Sequence, residues 1–128
     1  MADPITVIDD VILEKTTPEI VATIKDENDE GIPAASLNTL TLTLYNLDDG
    51  PVHAIINSRN AQDVLNANGV TVDTAGILTW SVNALDTAIV GTGVQEKHRA
   101  VFEWTYNGGV KNGKHVIDMF ITNLAKIT

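Results

Sequence analysis

Three histidines, His53, His98 and His115, are the residues of this 128-residue chain best suited to holding a metal or moving a proton. They form no H-x-H or H-x-x-x-H pair, so any shared site has to be assembled by the fold, and a zinc site needs at least three converging ligands. There is no cysteine, which excludes disulfides, thiolate metal sites and cysteine nucleophiles together. Ser36, Ser58 and Ser81 offer hydroxyls, but none lies in a G-x-S-x-G run and none has a base nearby in sequence. Seventeen acidic residues make carboxylate pairs for glycoside hydrolysis easy to imagine, and that abundance makes them uninformative. No G-x-x-x-x-G-K or G-x-G-x-x-G run cradles a phosphate. The residues therefore predict no enzyme, no catalytic group, no cofactor and no metal.

Two weaker patterns remain. Asp26, Asn28 and Glu30-Gly31 approach the spacing at the start of an EF-hand loop, but the twelfth position, which should be a bidentate glutamate, is Leu37. Strands flank the run, so a solvated hairpin turn is expected. Tyr45, Trp80, Trp104 and Tyr106 could form a sugar-stacking platform. With six aromatics in the whole chain, however, most are needed for packing, and glycan binding stands as an alternative only.

The formal net charge is −9, and it is uneven. Residues 1–31 hold nine acids (Asp3, Asp9, Asp10, Glu14, Glu19, Asp26, Glu27, Asp29, Glu30) against Lys15 and Lys25. Such a field repels phosphate backbones, so nucleic acid is not an expected partner. No apolar run approaches the ~20 residues that span a bilayer, and no membrane partner is expected. Met1-Ala2-Asp3-Pro4 lacks the basic start and apolar stretch of a secretory signal, which predicts synthesis in a cytoplasm.

The elements that must position these residues alternate with a period of two. His98, Ala100, Phe102, Trp104 and Tyr106 fall on one face of an extended segment, and Lys97, Arg99, Val101, Glu103 and Thr105 on the other. Asn107-Gly108-Gly109 suits a tight reversal, and the chain returns through 115–123, giving a long antiparallel hairpin. Leu40, Leu42 and Leu44 alternate with Thr39, Thr41, Thr43 and Tyr45, which predicts leucines inside and threonines outside. Further strands are expected at 20–25, 52–56, 70–72 and 77–82, with Trp80 between sheets. The sole helical candidate runs from a cap at Ser58 or Asn60 through Ala61, Val64 and Leu65 to Gly69. His98 and His115, on opposite arms of the hairpin, are candidate cross-strand neighbours.

About seven short strands between Gly, Asp and Asn turns predict an all-β, two-sheet antiparallel immunoglobulin-like sandwich at 18–128 with at most one short helix. Residues 1–17 read as an N-terminal arm: either the first edge strand of that domain or a segment lying on a neighbouring subunit. Its apolar residues, Ile5, Val7, Ile8, Val11, Ile12 and Leu13, are the candidate partner-binding set.

The runs ATIKDENDEGIP, LTLTLYNLDDG, VTVDTAGILTWSV, EKHRAVFEWTYNGG and HVIDMFITNL together resemble the immunoglobulin-like structural domains of tailed-bacteriophage virion proteins, over about residues 18–124. That family includes head decoration, neck and baseplate modules. The resemblance implies a non-enzymatic virion component, with capsid decoration or cement first and neck, tail or baseplate second. Its partners would be capsid or other virion proteins, including further copies of the chain, and an adhesin-like glycan-binding module is the alternative.

Overall fold

The computed structural model describes residues 5–47, 54–89 and 94–122, with side chains from residue 12 onward. Among the described residues eight strands form: β1 Ile5–Leu13, β2 Glu19–Thr23, β3 Leu37–Asn46, β4 Gln62–Asp63, β5 Val70–Val72, β6 Ile77–Ser81, β7 Gln95–Tyr106 and β8 Lys111–Thr122. They build a five-stranded sheet in the order β1-β8-β7-β3-β4 and a three-stranded sheet in the order β2-β6-β5. Every pairing is antiparallel except that of β1 with β8 at the sheet edge. This is the two-sheet antiparallel sandwich that the alternation predicts.

The hairpin of β7 and β8 is its backbone. Twelve register pairs run from Gln95 opposite Thr122 to Tyr106 opposite Lys111. At its tip Asn107, Gly108 and Gly109 all take positive φ, 55°, 69° and 84°, which glycine adopts without a Cβ penalty. The tip is fastened by the Gly109 amide, which donates to Asn38 Oδ1 at 2.9 Å. Behind it Gly113 faces Trp104 across the ladder. A Cβ on Gly113 would lie 2.5 Å from the indole nitrogen, so the bare backbone is what lets the ring lie across it.

The core lies between the sheets. Leu40, Leu42 and Leu44 are fully buried, as are Trp80, Phe102 and Ile117. Thr39, Thr41 and Thr43 stay at least partly in solvent. Trp80 of the small sheet meets Phe102 of the large one edge to face, with centroids 5.6 Å apart, which joins the two layers. Full burial of each such side chain contributes about 1.5–3 kcal/mol, and the alternating positions of β3 and β7 supply Leu40, Leu42, Leu44, Phe102 and Trp104 to that core.

Two local expectations fail. Residues 58–69 are not helical: they contain the short strand β4 and a series of turns. Asn57, Ser58, Ala61, Asn66 and Asn68 have φ between 50° and 56°, in the left-handed region where no right-handed helix continues. Val64, which fits a helical stripe, is instead fully buried beneath β3, its amide donating to the Leu40 carbonyl. The strand expected at 52–56 is, within the described residues, a single bridge between Ile55 and Tyr45. Among the described residues the one helical piece is the 3-10 turn Ala34–Ser36.

Candidate functional site: a polar pocket above a buried arginine

The irregular 54–69 segment carries one basic residue inward. Arg59 is 4% exposed and Asp86, from the turns after β6, is 0% exposed. The two form a bidentate pair, Nε to Oδ1 at 2.6 Å and Nη2 to Oδ2 at 3.0 Å, the geometry in which guanidinium and carboxylate bind most strongly. Asp86 also accepts from Asn57 Nδ2 at 2.9 Å and from the Asn83 amide at 2.8 Å. Arg59 further donates through Nη1 to Gln62 Oε1 at 2.9 Å and through Nη2 to the Asn68 carbonyl at 3.2 Å. Its guanidinium carbon lies 6.0 Å from the Trp80 ring centroid. One cation thus ties the loop, β4 and the post-β6 turns to the core.

His98 extends this network. It is fully buried, with Nδ1 3.1 Å from the Asp86 carbonyl oxygen and Nε2 2.6 Å from Glu96 Oε1. A carbonyl only accepts, so Nδ1 donates to it, and the proton between Nε2 and Glu96 is held by the pair. Burial of both partners makes this a positioning contact between β7 and the Asp86 turn.

Over Arg59 opens a pocket of about 400 Å³. It is lined by Asn57, Gln62, Asn68, Gly69, Asn83 and, at the end of β6, Ser81. Gly69 has φ +90°, and a Cβ there would lie 3.0 Å from the Ser81 carbonyl oxygen. The open wall therefore depends on a glycine in the left-handed region.

A second ionic centre sits on the other face of the large sheet. Asp118 of β8 is 2% exposed and receives Arg99 Nε at 2.7 Å and Nη2 at 2.9 Å, with Lys97 Nζ at 3.6 Å. The Arg99 hydrogen bonds hold the Asp118 carboxyl below the usual carboxylate range, and Asp118 in turn raises the Arg99 guanidinium above its ordinary value. Lys97 also lies over the Phe120 ring at 5.6 Å.

The sequence candidates are dispersed. His98 stands opposite Met119 and His115 opposite Phe102, so the two imidazoles share a face without being cross-strand partners. Desolvation lowers the His115 pKa from 6.5. His53 lies outside the described residues. Ser36 falls in the 3-10 turn, Ser58 in the loop and Ser81 on the pocket rim. Asp26 Oδ1 accepts from the amides of Asn28 and Glu30, closing its own turn, while Glu27 pairs with Lys111 and accepts from the Tyr106 hydroxyl. Trp80 and Trp104 are in the core. Among the described residues no group of three His, Asp or Glu side chains is placed to hold a metal ion.

Of the arm, the backbone of 5–13 runs along β8, with Ile5 opposite Val116 and Leu13 opposite Thr122. Ile12 is buried in the core of its own domain and Leu13 is half-buried. The side chains of Ile5, Val7, Ile8 and Val11 lie outside the described residues.

Arg59, Asp86 and the pocket amides were not singled out from sequence. One signal was present: Arg59 is the sole Lys or Arg between Lys25 and Lys97, in an asparagine-rich stretch that also holds β-capable apolar residues.

No protein-family model and no curated protein matches the chain. Among solved structures it is similar to MtrC from Shewanella baltica OS185, at 18% identity and a TM-score of 0.40. That match covers 91% of this chain and 23% of the other. The chain thus spans about a quarter of the length of that protein.

Proposed function

We propose that the chain is a non-enzymatic structural module of a bacteriophage particle, a capsid decoration or cement subunit acting through protein-protein contacts. The observation that carries this reading is the set of aliphatic side chains held in water on a pinned frame. Val110 at the hairpin tip is 81% exposed, Leu85 61%, Val21 59% and Val94 57%. Exposed apolar residues gain by burial against another surface. The edge strand β1 offers a further backbone for strand addition. Repetition over a lattice multiplies a modest contact into shell stability.

Particles produced without the chain test this. Added purified chain is expected to co-sediment with them at a saturating, repeated stoichiometry and to raise the temperature at which the shells open. A few copies per particle would move the module to the neck, tail or baseplate, and no co-sedimentation would overturn the virion reading.

A further inference from the structure

We propose that the pocket over Arg59 is a binding site for a neutral saccharide unit. This rests on the pocket's own chemistry and is independent of the particle reading.

Charge comes first. Arg59 is the pocket's one ionic wall, and its bidentate pairing with Asp86 cancels that charge. The remaining lining residues, four side-chain amides, a serine and a glycine, are all uncharged, so an ionic ligand would leave water without a counter-charge to meet it.

The pattern of donors and acceptors comes next, and it is fixed by bonds the amides already make. Asn57 uses its Nδ2 on Asp86 and Asn68 its Nδ2 on the Asp63 carbonyl, which leaves two side-chain oxygens as acceptors. Gln62 uses its Oε1 on Arg59 and Asn83 its Oδ1 on the Leu85 amide, which leaves two side-chain NH2 groups as donors. Two acceptors and two donors around one cavity match a ring of adjacent hydroxyls, each of which donates one hydrogen bond and accepts others. The side chains are already held by the Arg59–Asp86 pair and by neighbouring backbone, so little ordering accompanies binding. The volume, about 400 Å³, suits one sugar ring with its first shell of water. Trp80 is covered by Arg59, so recognition proceeds through hydrogen bonds without ring stacking.

The test uses the full chain, labelled with 15N, titrated with the methyl glycosides of glucose, galactose and mannose, with N-acetylglucosamine, and with glucuronate. Saturable shifts are expected for at least one neutral sugar, at the side-chain NH2 signals of Gln62 and Asn83 and the Gly69 amide. Gln62→Glu keeps the oxygen facing Arg59 and removes one donor. Asn83→Asp keeps the oxygen that accepts from the Leu85 amide and removes the other donor. Each variant is expected to weaken binding by about tenfold, with spectral dispersion elsewhere unchanged. Silence toward every neutral sugar, equal affinity in both folded variants, or tighter binding of glucuronate would overturn the proposal.

Discussion

At the residue scale, the fully buried Arg59–Asp86 pair is the contact on which the irregular third of the chain depends. A buried pair adds little net stability over an apolar pair, but losing one partner strands a charge. Arg59→Met is therefore expected to cost about 3–5 kcal/mol in urea unfolding, because Asp86 keeps its burial and loses its counter-charge. Adding Asp86→Asn should recover part of that loss, and a double variant as unstable as the two single losses combined would show that the two residues act separately. Asp118 gives the pH dependence. Arg99 holds it below its ordinary 3.8, so its contribution is complete above that value and is lost as pH falls through the lower native one. His115, lowered from 6.5 by burial, prefers its proton in the unfolded chain, so stability also declines as pH falls below about 6.5. Thermal melts are expected to drop in both windows. Asp118→Asn should remove the lower step and His115→Phe the upper one.

Elements divide by how locally their instructions are written. The β3 and β7 faces were legible because a period of two in Leu40, Leu42, Leu44 and in Ala100, Phe102, Trp104 maps directly onto burial. The loop was misread because Ala61, Val64 and Leu65 also fit a helical stripe. What decides the matter is tertiary: Val64 docks on β3 and Arg59 on Asp86, 27 residues further along the chain, and no periodicity reports such a pairing. Five non-glycine residues held left-handed cost about 1 kcal/mol each, asparagine less, and the buried contacts offset this. Ala61, exposed at φ 50°, offers a direct check. Ala61→Gly is expected to stabilise the protein by about 0.5–1 kcal/mol, whereas a helical loop would be weakened by a similar amount. Strand β1 offers another. Ile12→Ala is expected to cost about 2–4 kcal/mol in the isolated chain because that side chain fills its own core. An unchanged melting temperature would return Ile12 to the set reserved for a partner.

At the scale of the whole molecule, the two buried ionic centres flank the large sheet from opposite sides, Arg59 and Asp86 within the sandwich and Asp118 beneath Arg99. Apolar side chains project at turns and on the outer face of the small sheet. The fold class followed from strand count and turn chemistry alone. The candidate pocket did not, because its walls come from the post-β3 loop, β4, the turn before β5 and the end of β6, brought together only by the fold. A sandwich with exposed aliphatics and an acidic first quarter suits docking to a surface that tolerates negative charge, with steering that weakens as salt rises. Quantitative mass spectrometry of gradient-purified particles tests that role most directly. The expected result is peptides of this chain in a fixed, high ratio to the major shell protein, retained through salt washing. Particles of full infectivity and stability that contain none of it would contradict the role.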